Sequence, residues 1–258
     1  MDLGLTGKVV LITGGSKGIG LACAAAFAAE GARIAICSRS QANLDRALAT
    51  LPGVLGFAAD LCDPDAAARM VDAVTGQLGP VDILVNSAGA AKRMAPDDLT
   101  PRAWRAAMDS KYFSTINVID PVVKRMAERG RGVIVNVIGV GGKVASPVHV
   151  AGGAANAALM LATAGLGAAY AARGVRVLGV SPGMTETGRV AERLQAEARL
   201  ASISLEEARA RNVARIPMGR MAAPAEIASA VVFLASDQAS YITAVTVAMD
   251  GGRNPAVL

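Results

Sequence analysis

Closely spaced glycines in Thr13-Gly14-Gly15-Ser16-Lys17-Gly18-Ile19-Gly20 come directly after an apolar run, Val9 to Ile12, and directly before a helical pattern, Ile19 to Glu30. Strand, glycine turn and helix in that order form a phosphate cradle. The glycines allow a tight turn and close backbone approach, and the helix start offers unpaired N–H groups and its dipole to a pyrophosphate. The chemistry implied is binding of a dinucleotide. A second position bears on which one. A fold selective for NAD usually ends its second strand with an acid that bonds the ribose hydroxyls, whereas this strand ends Ile36-Cys37-Ser38-Arg39. Arg39 and Lys17 are suited to flank the extra phosphate of NADP, with Ser38 donating a hydrogen bond to it, so NADP(H) is expected ahead of NAD(H).

The elements that must hold these residues follow from apolar periodicity. Runs at Val9 to Ile12, Ile34 to Cys37, Val54 to Ala58, Val81 to Val85, Val133 to Val137, Val175 to Val180 and Val245 to Met249 read as seven buried parallel strands. Segments with helical spacing alternate with them: Ile19 to Glu30, Asp65 to Leu78, Arg102 to Glu128, Ala154 to Ala171 and Ala225 to Ala235. Alternation of this kind predicts an α/β fold, a Rossmann-type doubly wound sheet flanked by helices, in a single domain over residues 1–258. Ser204 to Glu207 matches a capping box, so a helix pair is expected after Gly188, in a substrate-covering segment at about 188–218.

The glycine pattern is that of the short-chain dehydrogenase/reductases, and the resemblance continues through nearly the whole chain. Asp60-Leu61 resembles the family's adenine-contacting pair, and Asn86-Ser87-Ala88-Gly89 resembles its Asn-Asn-Ala-Gly signature. Ser181-Pro182-Gly183-Met184-Thr185-Glu186-Thr187 is similar to the stretch whose later Thr contacts the nicotinamide carboxamide, a place taken here by Thr187. Pro217-Met218-Gly219-Arg220, Phe233-Leu234-Ala235-Ser236 and Met249-Asp250-Gly251-Gly252 resemble its C-terminal markers. The resemblance implies cofactor contacts from Gly14, Ser16, Lys17, Gly18, Ile19, Gly20, Ser38, Arg39, Asp60, Leu61, Asn86, Ala88, Gly89, Pro182, Gly183, Thr185 and Thr187. It further implies a small carbonyl or alcohol substrate and a homodimer or homotetramer formed through the uncharged helix around Asn156 to Ala169.

The resemblance fails at the chemistry. The family uses a Tyr acid, a Lys four residues later, a Ser and a relay Asn. Asn156-Ala157-Ala158-Leu159 falls where the family has Lys-Ala-Ala-Leu, which puts Gly152 at the Tyr. Gly139 stands at the Ser and Lys111 at the relay Asn. Glycine offers no side-chain proton or hydrogen bond, so the candidate catalytic residues become Lys111, Asn156 and His149. Lys111 and Asn156 exchange the amide and amine of the family pattern. Lys111 is suited to polarise a carbonyl or, with a pKa lowered by burial, to donate a proton; the alternative is a lysine facing solvent or an interface. His149, one turn before Gly152, is within reach of the vacated space, or else caps the helix. Ser146 is a possible hydroxyl source or a turn residue before Pro147. Tyr112 adjoins Lys111, and at most one of the two faces the cofactor.

Composition bounds the remainder. A formal charge of +5, spread among acids, with 3% aromatic residues and no basic run, argues against nucleic acid. Cys23, Cys37 and Cys62 lack metal-ligand spacing and are expected to be reduced core residues in a cytoplasmic protein, with no metal site. The charge-free stretch from Val144 to Ala172 has the length of a membrane span, but Pro147, His149, Asn156 and its glycines favour a helix buried in a core or a subunit interface. Arg189, Arg193, Arg199, Arg209, Arg211 and Arg215 fall in the covering segment among Glu192, Glu197, Glu206 and Glu207, which favours solvated i,i+4 pairs over an anion site. Three functions follow: a reductase or alcohol dehydrogenase with a non-standard active site, an inactive NADP(H)-binding sensor or oligomer partner, and a hydration or isomerisation for which no residue speaks.

Overall fold

A computed structural model describes residues 2–255. Seven strands, β1 (Val9–Thr13), β2 (Arg33–Ser38), β3 (Leu55–Ala58), β4 (Ile83–Asn86), β5 (Gly132–Val137), β6 (Val175–Pro182) and β7 (Thr246–Met249), form one sheet. Its order is β3-β2-β1-β4-β5-β6-β7, with every neighbouring pair parallel. The order reverses between β1 and β4, where the chain leaves to opposite sides and opens a crevice at the strands' C-terminal ends. The helices are α1 (Gly18–Ala29), α2 (Gln41–Leu48), α3 (Pro64–Leu78), α4 (Pro101–Met108), α5 (Ser114–Glu128), α6 (Val150–Tyr170), α7 (Gly188–Ala201), α8 (Leu205–Val213) and α9 (Pro224–Ala235).

Strand alternation divides the core. Val10, Ile12, Ile34, Ile36 and Val135 face α1 and α9, while Val9, Leu11, Ala35, Leu84 and Ile134 face α3 and α5. Both faces are covered, so the strands read as unbroken apolar runs. A separate small cluster of Met184, Leu194, Ile216 and Met221 seats α7 and its neighbours over the sheet's edge.

Several expectations are corrected by local geometry. The long helix expected over Arg102 to Glu128 is two helices joined by a π-helical turn, Asp109–Phe113. Each extra residue in such a turn rotates the following side chains, and here Lys111 is swung towards the crevice. Helix α2 was not anticipated; it is short and begins at Ser40, whose Oγ accepts from Asn43 N at 3.3 Å. Helix α6 starts at Val150 rather than Ala154, which brings Gly152 inside its first turn. Ser204 caps α8 as its capping pattern predicts, Glu207 N donating to Ser204 Oγ at 3.0 Å. Cys62 is exposed after β3 and is not a core residue; Cys23 and Cys37 are buried, and burial pushes their thiols up to about 12.

The Ala/Gly content of α6 has a packing cause. A Cβ on Gly167 would stand 2.6 Å from Ala244 N, so only glycine lets the helix approach β6 and the segment before β7 this closely. Ala151, Ala155, Leu159 and Thr163 share its buried face.

Candidate active site

The crevice at the β1/β4 reversal is a cleft of about 570 Å³. Its floor is the turn between β1 and α1. Gly14 holds φ +67° and Gly18 φ +55°, a region glycine enters without strain. A Cβ on Gly14 would come within 2.8 Å of the Ala88 backbone. The start of α1 has no side-chain cap, which leaves its first N–H groups free to face an anion. Ser16, Lys17, Gly18 and Ile19 line this end. Ser38 and Arg39 at the end of β2, and Asp60 and Leu61 after β3, line the adjoining wall.

The opposite end is lined by Ala88 and Gly89 after β4, and by Pro182, Gly183, Thr185 and Thr187 after β6. Thr185 is buried, and its Oγ1 has no hydrogen-bond partner among the described residues, which leaves it free to bond a polar group held in the cleft beside it. Open glycine cradle, uncapped helix start and orphaned hydroxyl together fit a dinucleotide.

Two residues expected as cofactor contacts lie behind the cleft wall. Gly20 packs against the turn itself, where any Cβ would collide with the Gly14 carbonyl. Asn86 is buried, accepting from Thr13 Oγ1 at 3.3 Å and donating to Asn136 Oδ1 at 2.9 Å. Asn136 Nδ2 donates in turn to Thr163 Oγ1 at 2.9 Å. This chain of polar groups ties β1, β4 and β5 to α6 and fixes the cleft's back wall. Asn136 was not singled out from the sequence, although an amide inside an apolar strand is the signal that marks such a partner.

Lys111 and Asn156 meet across the cleft, with Nζ donating to Oδ1 at 2.8 Å. Asn156 Nδ2 donates to the Gly139 carbonyl at 3.0 Å, so all three residues form one chain of contacts. Burial, followed by the Arg189 and Arg93 guanidiniums, holds the Lys111 ammonium down to about 8. Near neutral pH such an amine carries a proton that it can release. Tyr112 turns aside and stacks edge-on against Phe113, as adjacent helical positions require.

His149, the N-cap residue of α6, lies outside the cleft lining yet beside it. An ideal Cβ at Gly152 would stand 2.6 Å from its Nε2, and one at Gly141 would stand 3.4 Å from its Cδ2. The ring therefore occupies the space above Gly152. Burial, and then Lys111, Arg93 and Arg193, hold its imidazole down to about 4, so the ring is neutral at physiological pH. Its Nδ1 is buried without a partner among the described residues. The hydroxyl of Ser146 makes no cap bond at the turn before Pro147.

Four of the arginines between residues 188 and 218 have two kinds of partner. Arg211 pairs with Glu207 at 2.7 Å and Arg209 pairs with Glu186, all on exposed faces, in keeping with a solvated surface. Arg189 instead donates to the Gly89 carbonyl at 3.0 Å, and Arg193 to Asn212 Oδ1 at 3.0 Å.

Comparison with known proteins agrees with this geometry. Residues 14–254 match the family described as enoyl-(acyl carrier protein) reductase. A D-threitol dehydrogenase of Mycolicibacterium smegmatis is 37% identical over 97% of this chain and 94% of its own. A 2-(S)-hydroxypropyl-CoM dehydrogenase of Xanthobacter autotrophicus is 36% identical, covering 96% of this chain and 97% of its own. Among solved structures, an actinorhodin polyketide ketoreductase with NADPH superposes with a TM-score of 0.92 at 32% identity, over 95% of this chain and 97% of that one.

Proposed function

The chain belongs to the short-chain dehydrogenase/reductase family of oxidoreductases, and we propose that it is an NADP(H)-dependent carbonyl reductase or alcohol dehydrogenase whose proton donor is Lys111. The observation that carries this reading is the Lys111 Nζ to Asn156 Oδ1 hydrogen bond at 2.8 Å inside the cleft. Gly139 and Gly152 bring no side-chain hydroxyl to the site, so the acid has to come from a neighbour, and Lys111 is the titratable side chain lining that part of the cleft.

NADP(H), when bound, supplies or accepts the hydride. Its phosphates would be held at the α1 start and by Lys17, Ser38 and Arg39, the last standing where an NAD-selective fold carries an acid. Asp60, Leu61, Ala88 and Gly89 would flank the adenosine half, with Pro182, Gly183, Thr185 and Thr187 at the nicotinamide end. Gly20 and Asn86 act behind the wall by shaping it.

Lys111 polarises the substrate carbonyl and gives its proton to the oxygen as charge develops there. Asn156 is a positioning residue. Its Oδ1 holds the ammonium, while its own amide is anchored on the Gly139 carbonyl. His149, neutral, closes the space above Gly152 and keeps water from the reacting oxygen. The substrate is a small carbonyl or alcohol compound, and α7 with α8 covers it. The protein is read as a single cytoplasmic domain that assembles as a homodimer or homotetramer; Leu161, 77% exposed on α6, offers an apolar face for that contact.

A second reading, an inactive NADP(H)-binding sensor or oligomer partner, is favoured by one observation: glycine at both 139 and 152 removes two side chains from the site. Following oxidation of NADPH against a panel of ketones, aldehydes and keto acids separates the two. Turnover that Lys111→Met abolishes, with NADPH binding retained, supports the enzyme. Tight NADPH binding with no turnover anywhere in the panel supports the sensor.

A further inference from the structure

We propose that Arg189, at the start of α7, binds the diphosphate of the dinucleotide from the side opposite the glycine turn, so that the covering segment is fastened to the bound cofactor. This rests on the dinucleotide reading of the cleft, and it holds alike for a reductase and for a sensor.

The start of α7 crosses the cleft from one wall to the other. At one end Thr187 lies against the glycine turn: a Cβ on Gly18 would stand 3.2 Å from Thr187 Cγ2. Two residues on, Arg189 Nη1 donates to the Gly89 carbonyl at 3.0 Å, on the loop after β4. That loop is held from its other side by the π-helical turn, with Ser110 Oγ donating to the Ala90 carbonyl at 2.6 Å. Thr187, Gly188 and Arg189 line the cleft, as do Lys17, Gly18 and Ile19 of the turn they meet. Helix α7 therefore begins over the same end of the cleft at which the α1 start faces an anion.

Three features of this stretch favour a negative partner. Thr187 makes no side-chain bond to cap α7, so that helix start is as open as the start of α1. Thr185, two residues before it in the same lining, is 3% exposed, and its Oγ1 has no partner among the described residues. Arg189 is exposed, and its one side-chain bond among the described residues goes to a neutral carbonyl. It forms no ion pair there, even with Glu192, one turn further along the same lining. Most of its guanidinium fork is left for other acceptors. Arg209 and Arg211, each matched by a glutamate, show what solvated arginines do in the same segment.

Lys111 adds to the positive charge here. A Cβ on Gly89 would stand 3.5 Å from Lys111 Cγ, so Gly89 separates the two cations, and the Arg189 charge is one of those holding the Lys111 ammonium down. An oxyanion between the walls reverses the sign of that repulsion.

Reach favours the diphosphate over an anion on the substrate. Arg189 is two residues from the contact with Gly18, and Gly18 opens α1, where the diphosphate would lie. Phosphate oxygens also match the planar fork in pairs.

Calorimetric titration of the full chain with NADPH, 2′-phospho-ADP-ribose and adenosine 2′-monophosphate tests the contact, since the first two carry the diphosphate and the third does not. Arg189→Met should weaken NADPH and 2′-phospho-ADP-ribose alike, by about 10- to 100-fold, while adenosine 2′-monophosphate binds as to the wild type. Arg211→Met, which removes the same charge from an exposed position on α8, should leave all three affinities unchanged. An Arg189→Met protein that keeps its affinity for both diphosphate probes overturns the proposal and leaves Arg189 to an anion on the substrate. A loss confined to NADPH overturns it too, because the contact would then be with the nicotinamide half. An equal loss for adenosine 2′-monophosphate, or the same loss in Arg211→Met, overturns it by tracing the effect to the fold or to net charge. A wild type that binds neither diphosphate probe would sink the dinucleotide reading and this inference with it, a result distinct from wild-type binding that Arg189→Met leaves intact.

Discussion

The imidazole of His149 stands in the volume that a side chain at residue 152 would need, 2.6 Å from Nε2 to an ideal Cβ there, with Ala91 Cβ 2.9 Å away on another side. Glycine at 152 and histidine at 149 are thus two halves of one packing solution. Gly152→Ala should displace the ring and destabilise the fold by about 1–3 kcal/mol, the usual cost of overpacking. His149→Ala opens the same space, so the double variant should recover most of that loss. Thermal denaturation of the four proteins in the cycle measures the coupling, and additive effects would show that the two positions do not meet.

The same histidine gives stability a pH dependence. Its folded pKa, about 4, lies below the ordinary 6.5, so between those values the unfolded chain binds more protons than the folded one. Stability attributable to this group is complete above 6.5 and falls as pH drops towards 4. His149→Phe should flatten that limb in urea denaturation at stepped pH; an unchanged slope would mean the ring is not held neutral.

Arg39 should decide between the two nicotinamide cofactors. Arg39→Asp places at the end of β2 the acid that NAD-selective folds carry, and removes a partner for the extra phosphate. NADPH affinity should fall about 10- to 100-fold, in line with a charge-assisted hydrogen bond worth roughly 1.5–3 kcal/mol, while NADH affinity holds or rises. Fluorescence titration with both cofactors reads the switch directly.

The amide chain behind the cleft should be costly to interrupt. Asn136→Ala leaves Asn86 Nδ2 without its acceptor and Thr163 Oγ1 without its donor, deep in the sheet. A loss of about 1–3 kcal/mol is expected from the unpaired groups, together with weaker NADPH binding as β4 and β5 relax. Chemical denaturation and cofactor titration on the same preparation check both effects.

Much of this was legible in the sequence because it depends on local patterns. Apolar runs located every strand to within two residues or so at its start, and the glycine turn needed only its flanking strand and helix to be read as a phosphate cradle. Legibility ended where geometry is non-local. The π-turn at Asp109–Phe113 carries no periodicity signature, and it is what aims Lys111 at Asn156. Whether Arg193 points outward to solvent or inward depends on Asn212, which lies on the next helix, so counting glutamates at i,i+4 spacing could not separate it from Arg211. Asn86 and Gly20 sit in motifs that suggest ligand contact, yet burial assigns both to the wall behind it.

Proton donation by Lys111 should be visible in the pH profile of NADPH-dependent carbonyl reduction, compared between the wild type and Lys111→Met. With the amine held down to about 8, it is protonated below that value, so kcat/KM for reduction should be level at lower pH and fall as pH rises through about 8. The Met variant should lose about 10²- to 10⁴-fold in rate, lose that inflection, and bind NADPH as before. A Lys111→Met enzyme that reduces carbonyls at the wild-type rate with the same pH profile would contradict the claim.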